Sequence, residues 1–153
     1  MPITKASNKM EPTMFTSVSS RSASAYQRVH VETAVSEASP HQLVSLLFEG
    51  YLQAVSMARA ALKQGNIALK GEQIGKAVRI IDEGLKPALN MESGGDLAVN
   101  LRGLYGYCVA LLTQANLNND DNALADAARI MLPVAQGWKK MGEQISAALP
   151  LSH

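Results

Sequence analysis

From Ser39 onward, apolar side chains recur every three or four residues, the spacing that aligns them on one face of an α-helix. At Ser39-Pro40-His41-Gln42 the helix-start signals coincide: Ser as N-cap, Pro at the first helical position, and Gln three residues after the cap to complete a capping box. This predicts a first long helix to about Gln64, ended by Gly65-Asn66, where glycine takes the left-handed cap conformation. A second begins near Lys70 and carries Ile74, Ala77, Val78, Ile81, Leu85, Ala88 and Leu89 on one face, with Pro87 bending its last turn. Ser93-Gly94-Gly95-Asp96 opens a third, with Ser93 as N-cap and Asp96 in the first turn, where the helix dipole favours an acid. That helix runs to about Leu117. The cluster Asn118-Asn119-Asp120-Asp121 makes a turn and caps a fourth, whose stripe is Leu124, Ala127, Ala128, Met131, Ala135, Trp138, Met141 and Ile145. Pro133, lacking a backbone donor, is expected to kink it.

Four helices with short connections place neighbours antiparallel, so the expected fold is all-α, an antiparallel up-and-down bundle. Ahead of it, residues 1–25 repeat Ser and Thr with two prolines and no periodic apolar face, and read as a disordered tail. Tyr26, Val29, Val31 and Ala34 then make a short amphipathic stretch, a brief helix or an extended arm against the bundle. The bundle domain is expected over residues 26–149.

Two helices carry more apolar surface than a bundle uses. On the first, Ser45, Glu49, Gln53, Ser56, Arg59 and Lys63 fall on one polar stripe about 120° wide. The remainder, including Leu43, Leu46, Leu47, Phe48, Tyr51 and Val55, is apolar. On the third, a bulky face of Leu97, Leu101, Leu104, Cys108, Leu111 and Leu112 lies opposite a small, smooth one of Val99, Gly103, Gly106 and Ala110. Either these are the two most buried helices, or they leave an apolar groove for an amphipathic segment of a partner.

Composition narrows the chemistry. The chain has 153 residues, the size of one domain, and is 47% apolar. Its 14 Lys+Arg against 13 Asp+Glu leave a net charge of +1, so no basic surface points to nucleic acid. No apolar run reaches the roughly 20 residues of a membrane-spanning helix, and the polar N-terminus is unlike a signal peptide, so a cytoplasmic chain without membrane insertion is expected. The single Cys108 excludes an internal disulfide, and mid-helix on a bulky face it reads as structural. His30, His41 and His153 are scattered, without a zinc or di-metal spacing, so no metal, cofactor or enzyme activity is expected. Lys139-Lys140 and the Arg59/Lys63 pair read as solvated charges, and Trp138 as core. Asn100 is a polar side chain in an apolar helix, read either as a buried hydrogen bond or as a grip on a partner's backbone.

A set of short words in fixed order resembles the FliS family, flagellin-specific secretion chaperones of the bacterial flagellar export system. The words are Ala25-Tyr26-Gln27-Arg28-Val29-His30-Val31-Glu32-Thr33-Ala34, Ala38-Ser39-Pro40-His41-Gln42-Leu43, Leu47-Phe48-Glu49-Gly50 and Lys70-Gly71-Glu72. They continue with Ile80-Ile81-Asp82-Glu83-Gly84-Leu85, Gly94-Gly95-Asp96-Leu97-Ala98-Val99-Asn100-Leu101, Leu104-Tyr105, Gln114-Ala115-Asn116-Leu117 and Trp138-Lys139. Residues 1–24 depart from the family pattern, and Ala23 stands where some members have a bulkier apolar residue.

The resemblance implies a non-enzymatic chaperone in the cytoplasm. It implies binding of the C-terminal helical segment of flagellin, prevention of premature polymerisation, and delivery to the flagellar type III export apparatus through the cytoplasmic domain of the export gate. It also places Tyr26 and Val29 on an arm that covers part of the client surface. Groove or groove-supporting candidates at family words are Leu43, Leu47 and Tyr51, then Ile81 and Leu85, then Asn100, Leu104 and Tyr105. A helical adaptor or regulator binding another flagellar protein through the same groove is the alternative. Exposed apolar faces also leave a homodimer open.

Overall fold

At Ser39 the side chain does what the pattern requires. In the computed structural model, which describes residues 38–148 and side chains as far as 144, Ser39 is extended and its Oγ accepts the Gln42 N–H at 3.1 Å. Gln42 Oε1 returns the bond by accepting the Ser39 N–H at 2.8 Å. With two backbone donors satisfied and Pro40 pre-set in φ, helix α1 runs Pro40–Lys63. Gly65, at φ +77°, turns the chain in the left-handed region.

Helix α2, Ile67–Arg79, begins earlier than the apolar stripe suggests, because Asn66 is its N-cap and accepts the Leu69 N–H at 3.1 Å. The stripe then continues through a different geometry. Ile80–Leu85 is a π-helical segment, closed by the Lys86 N–H bonding the Ile81 carbonyl at 2.9 Å. Its wider turn lets the consecutive Ile80 and Ile81 both be fully buried, together with Leu85. Pro87 lies in the turns that follow.

Helix α3, Gly95–Asn118, corrects the expected cap: Gly94 is the N-cap, with no side-chain bond, and Ser93 lies one position too early. The turn before it is built by Asn90, whose Oδ1 accepts the N–H groups of Glu92 and Ser93 at 3.2 and 3.1 Å. Asn119 at φ 52° then reverses the chain, and Asp120 Oδ1 accepts from the N–H groups of Asn122 and Ala123 at 3.0 and 3.2 Å. This caps α4, Asp121–Ala148, whose helical hydrogen bonding continues on both sides of Pro133.

The extensive contacts are α1 with α2 and α4, and α3 with α2 and α4, so α1 and α3 stand on a diagonal. The fold is the antiparallel four-helix bundle expected, with no strand among the described residues. Leu47, Tyr51 and Val55 of α1 meet Ile74, Ile80, Ile81 and Leu85 from the second helical stretch, Cys108 and Leu112 of α3, and Leu124 and Met131 of α4 in one core. The N-terminal tail and arm, residues 1–37, lie outside the described residues, and Tyr26 and Val29 with them.

Lys70 is also in this interior, only 3% exposed. Its Nζ donates to the backbone carbonyl and to Oδ1 of Asn116, both at 3.0 Å. A cation on the last turn of α3 satisfies a carbonyl that the helix leaves open and opposes the negative end of its dipole.

Candidate functional site

The bundle covers most of the surplus apolar face expected on α1, leaving Leu46 and Leu52 half-buried and Met57 exposed. Leu43, Leu47 and Tyr51 are buried, as are Ile81 and Leu85 beyond α2 and Tyr105 on α3. These six residues seat the helices and offer no surface of their own in this conformation. Their burial fits the groove-supporting alternative: α1 has two extensive neighbours and the π-helical segment besides, which take up more of its apolar arc than a single bundle contact would.

Tyr51 and Cys108 show how dry that interior is. The Tyr51 hydroxyl donates to the Ala127 carbonyl at 3.0 Å, and burial pushes its ionisation far above the ordinary phenol range. Tyr105 is pushed up to about 12, chiefly by burial. Burial raises the Cys108 thiol above its ordinary range, so it stays protonated and unreactive as the sequence suggests.

Helix α3 behaves differently. Its inner face holds Ala98, Tyr105, Cys108, Leu111, Leu112 and Ala115, and its packing thins toward the N-terminus. Leu101 and Leu104 are only partly buried, and Leu97, expected on the core side, is 65% exposed. Around the outer face lie Val99, 56% exposed, Gly103, Gly106, Ala110 and Leu117, 78% exposed, with Tyr107, 55% exposed, beside them. A Cβ added at Gly103 or Gly106 meets no atom within 4 Å. This is the small, smooth face read from the sequence, and the bundle leaves it uncovered. Asn100 is exposed beside it, so its reading as a buried packing bond falls.

Three interactions have no counterpart in the sequence reading. Arg59, read as solvated, makes a two-point pair with Asp121: Nε donates to Oδ1 at 2.9 Å and Nη2 to Oδ2 at 3.0 Å. The hydrogen bond from Arg59 holds the Asp121 carboxyl below its ordinary range. The pair stands at a cleft of about 350 Å³ between α1 and α4, lined by Leu52, Val55, Ser56, Lys63 and Ala128 among others. Second, His41 stacks on Trp138 with ring centroids 4.3 Å apart. The third is the Lys70–Asn116 tie. Each joins residues distant in sequence, so no local spacing announces it. Tyr107 and Leu117 join the exposed side without having been read from the sequence, although Tyr107 adjoins Gly106 and Leu117 follows Ala110 by two turns on the same face.

Among the described residues no group of three or more His, Cys, Asp or Glu is placed to hold a metal, and no helix is long and apolar enough to cross a membrane. What the geometry presents is an apolar, nearly uncharged helix face suited to another protein.

Residues 22–145 match the family described as flagellar protein FliS. The chain is 45% identical over 122 residues to the flagellar secretion chaperone FliS of Salmonella typhimurium, covering 80% of this chain and 90% of that one. It is 45% identical over 113 residues to the flagellar secretion chaperone FliSB of Pseudomonas aeruginosa, covering 74% and 89%. With the FliS of Bacillus subtilis the identity is 31% over 116 residues, covering 76% and 82%. With residues 22–145 matching the family and relatives of this identity and coverage named flagellar secretion chaperones, this helical-bundle chain belongs to the FliS family of flagellar export chaperones.

Proposed function

We propose that this chaperone works in the cytoplasm, holding the C-terminal helical segment of flagellin on the outer face of α3. Covering that segment prevents premature polymerisation, and the loaded pair is delivered to the type III export apparatus through the cytoplasmic domain of the export gate. The observation that supports this reading is the uncovered apolar face of α3 in a member of a secretion-chaperone family.

The physical argument is one of fit and reversibility. Gly103, Gly106 and Ala110 let a guest helix approach closely, while Val99, Tyr107 and Leu117 supply apolar contact around them. Burial contributes about 25 cal/mol per Å² of apolar surface, offset by the entropy lost as the guest becomes ordered. Many weak contacts of this kind suit a cargo that must be released. Asn100, exposed beside the face, is assigned to the guest's backbone, and partly buried Leu104 to the rim. Leu43, Leu47, Tyr51, Ile81, Leu85 and Tyr105 support the helices from within. Tyr26 and Val29 are assigned to an arm that shields part of the client surface in the unloaded protein.

Calorimetry with flagellin, intact and lacking its last 40 or so residues (roughly the length of a helical segment plus its linker), tests the client. Loss of binding on truncation is expected. Unchanged affinity for the truncated flagellin would reject the assignment and favour an adaptor for a different flagellar protein.

A further inference from the structure

Pro133 divides α4 into halves that are held differently. Before it, Ala123, Leu124, Ala127 and Met131 are fully buried; after it, no described residue from Val134 to Gln144 is, and most are exposed. Pro133 has no N–H to offer the helix, so the backbone ladder loses a rung at the boundary. Gly137 and Gly142 each disfavour the helix beyond it relative to Ala. A half-helix of this composition depends on a tertiary anchor.

Next to Pro133, Val134 and Ala135 still pack half-buried on the core; farther along, the anchor is a pair of rings. The His41 imidazole lies flat on the Trp138 indole, with planes 5° from parallel. The Trp138 carbonyl only accepts, so His41 Nε2 carries the hydrogen and donates to it at 2.8 Å. In return the indole Nε1–H donates to the His41 carbonyl at 3.0 Å. Each side chain is thus tied to the other's backbone. Among the described residues these are the hydrogen bonds that join segment 134–144 to α1. Gly142 completes the seat, since a Cβ there would run into the His41 ring. Beneath the pair lies Phe48, 3% exposed and tilted 49° to the indole.

We propose that residues 134–144 form a flap, hinged at Pro133 and latched by the His41–Trp138 pair, whose release uncovers Phe48 on α1. The flap opens locally while the rest of the bundle stays folded. It is a property of the free chain and stands apart from the identity of any client.

Hydrogen exchange on the full chain tests this, with His41→Ala and Gly142→Ala attacking the latch from opposite sides. In the unsubstituted protein, amides of 134–144 exchange about tenfold or more faster than those of 123–131, the mark of a local opening. Each variant speeds exchange in 134–144 by a further tenfold or so, with 123–131 unchanged, as expected for a lost stack and hydrogen bond. Trp138, the one tryptophan of the chain, shifts its emission to the red in both variants. Exchange of the two halves in step in the unsubstituted protein would overturn the flap even if a variant failed to fold. So would acceleration spread evenly along α4.

Discussion

Leu47 is fully buried on α1, so truncating it removes core before it removes any surface a partner touches. Leu47→Ala is expected to lower the unfolding free energy by about 2–5 kcal/mol in urea denaturation, the range for a buried leucine. Gly106 is the opposite case. It is an exposed glycine in a helix interior with open space beyond it, so Gly106→Ala should raise stability by about 1 kcal/mol in the same measurement. A residue that the free bundle would gain by losing is one whose smallness serves something outside the bundle. Asp121 sets a third expectation. Its carboxyl is depressed in the folded chain by Arg59, so the pair contributes stability above the unfolded carboxylate range, and that contribution is lost as pH falls through the folded value. Both side chains are more than a third exposed, so water screens the pair, and Asp121→Asn should cost at most about 1 kcal/mol near neutral pH and nothing in strong acid. Equal losses at both pH values, in parallel melts, would show that the carboxylate's charge is not the cause. Arg59, raised by the same pair, stays charged throughout and adds no pH dependence.

The connection from α2 to α3 is where local chemistry and packing meet. A Cβ on Gly94 would run into the Asn90 carbonyl oxygen in the turn that launches α3 and approach Ala98 Cβ in the first turn of α3 at 2.7 Å. Gly94→Ala should therefore destabilise by about 1–3 kcal/mol, as overpacking does, and a thermal melt within a degree of the unsubstituted protein would show that the turn gives way freely. Elements of this kind also explain what was legible in the sequence. The start of α1 was readable because Ser39, Pro40 and Gln42 act within four residues, and so was the caps-and-turn cluster before α4. The π-helical segment was not, because its apolar spacing is compatible with an ordinary helix and only the backbone bond from the Lys86 N–H to the Ile81 carbonyl separates the two. The start of α3 was misplaced for a related reason: Ser93 has the right side chain, but the conformations of Gly94 and Gly95 set the boundary. Arg59–Asp121, His41–Trp138 and Lys70–Asn116 are contacts between helices, invisible to any periodicity.

Across the whole molecule, the same excess of apolar residues on α1 and α3 has two outcomes. Helix α1 spends its excess inward, while α3, on the opposite corner, keeps an outer face of Val99, Gly103, Gly106, Ala110 and Leu117 in solvent. The sequence alone presented both helices as equal candidates, since periodicity records how wide an apolar arc is and not how much of it the neighbours cover. The extent of packing breaks the tie, because α1 and α3 touch the same elements and α1 lies against more of each. The most direct test fills that face without touching the core: a Gly103→Leu, Gly106→Leu double variant, titrated calorimetrically with the C-terminal segment of flagellin and melted in parallel. The expected outcome is a melting temperature equal to or above that of the unsubstituted protein and an affinity lowered about tenfold or more, as for bulk forced into a close helix contact. A folded double variant that binds the segment with unchanged affinity would contradict it.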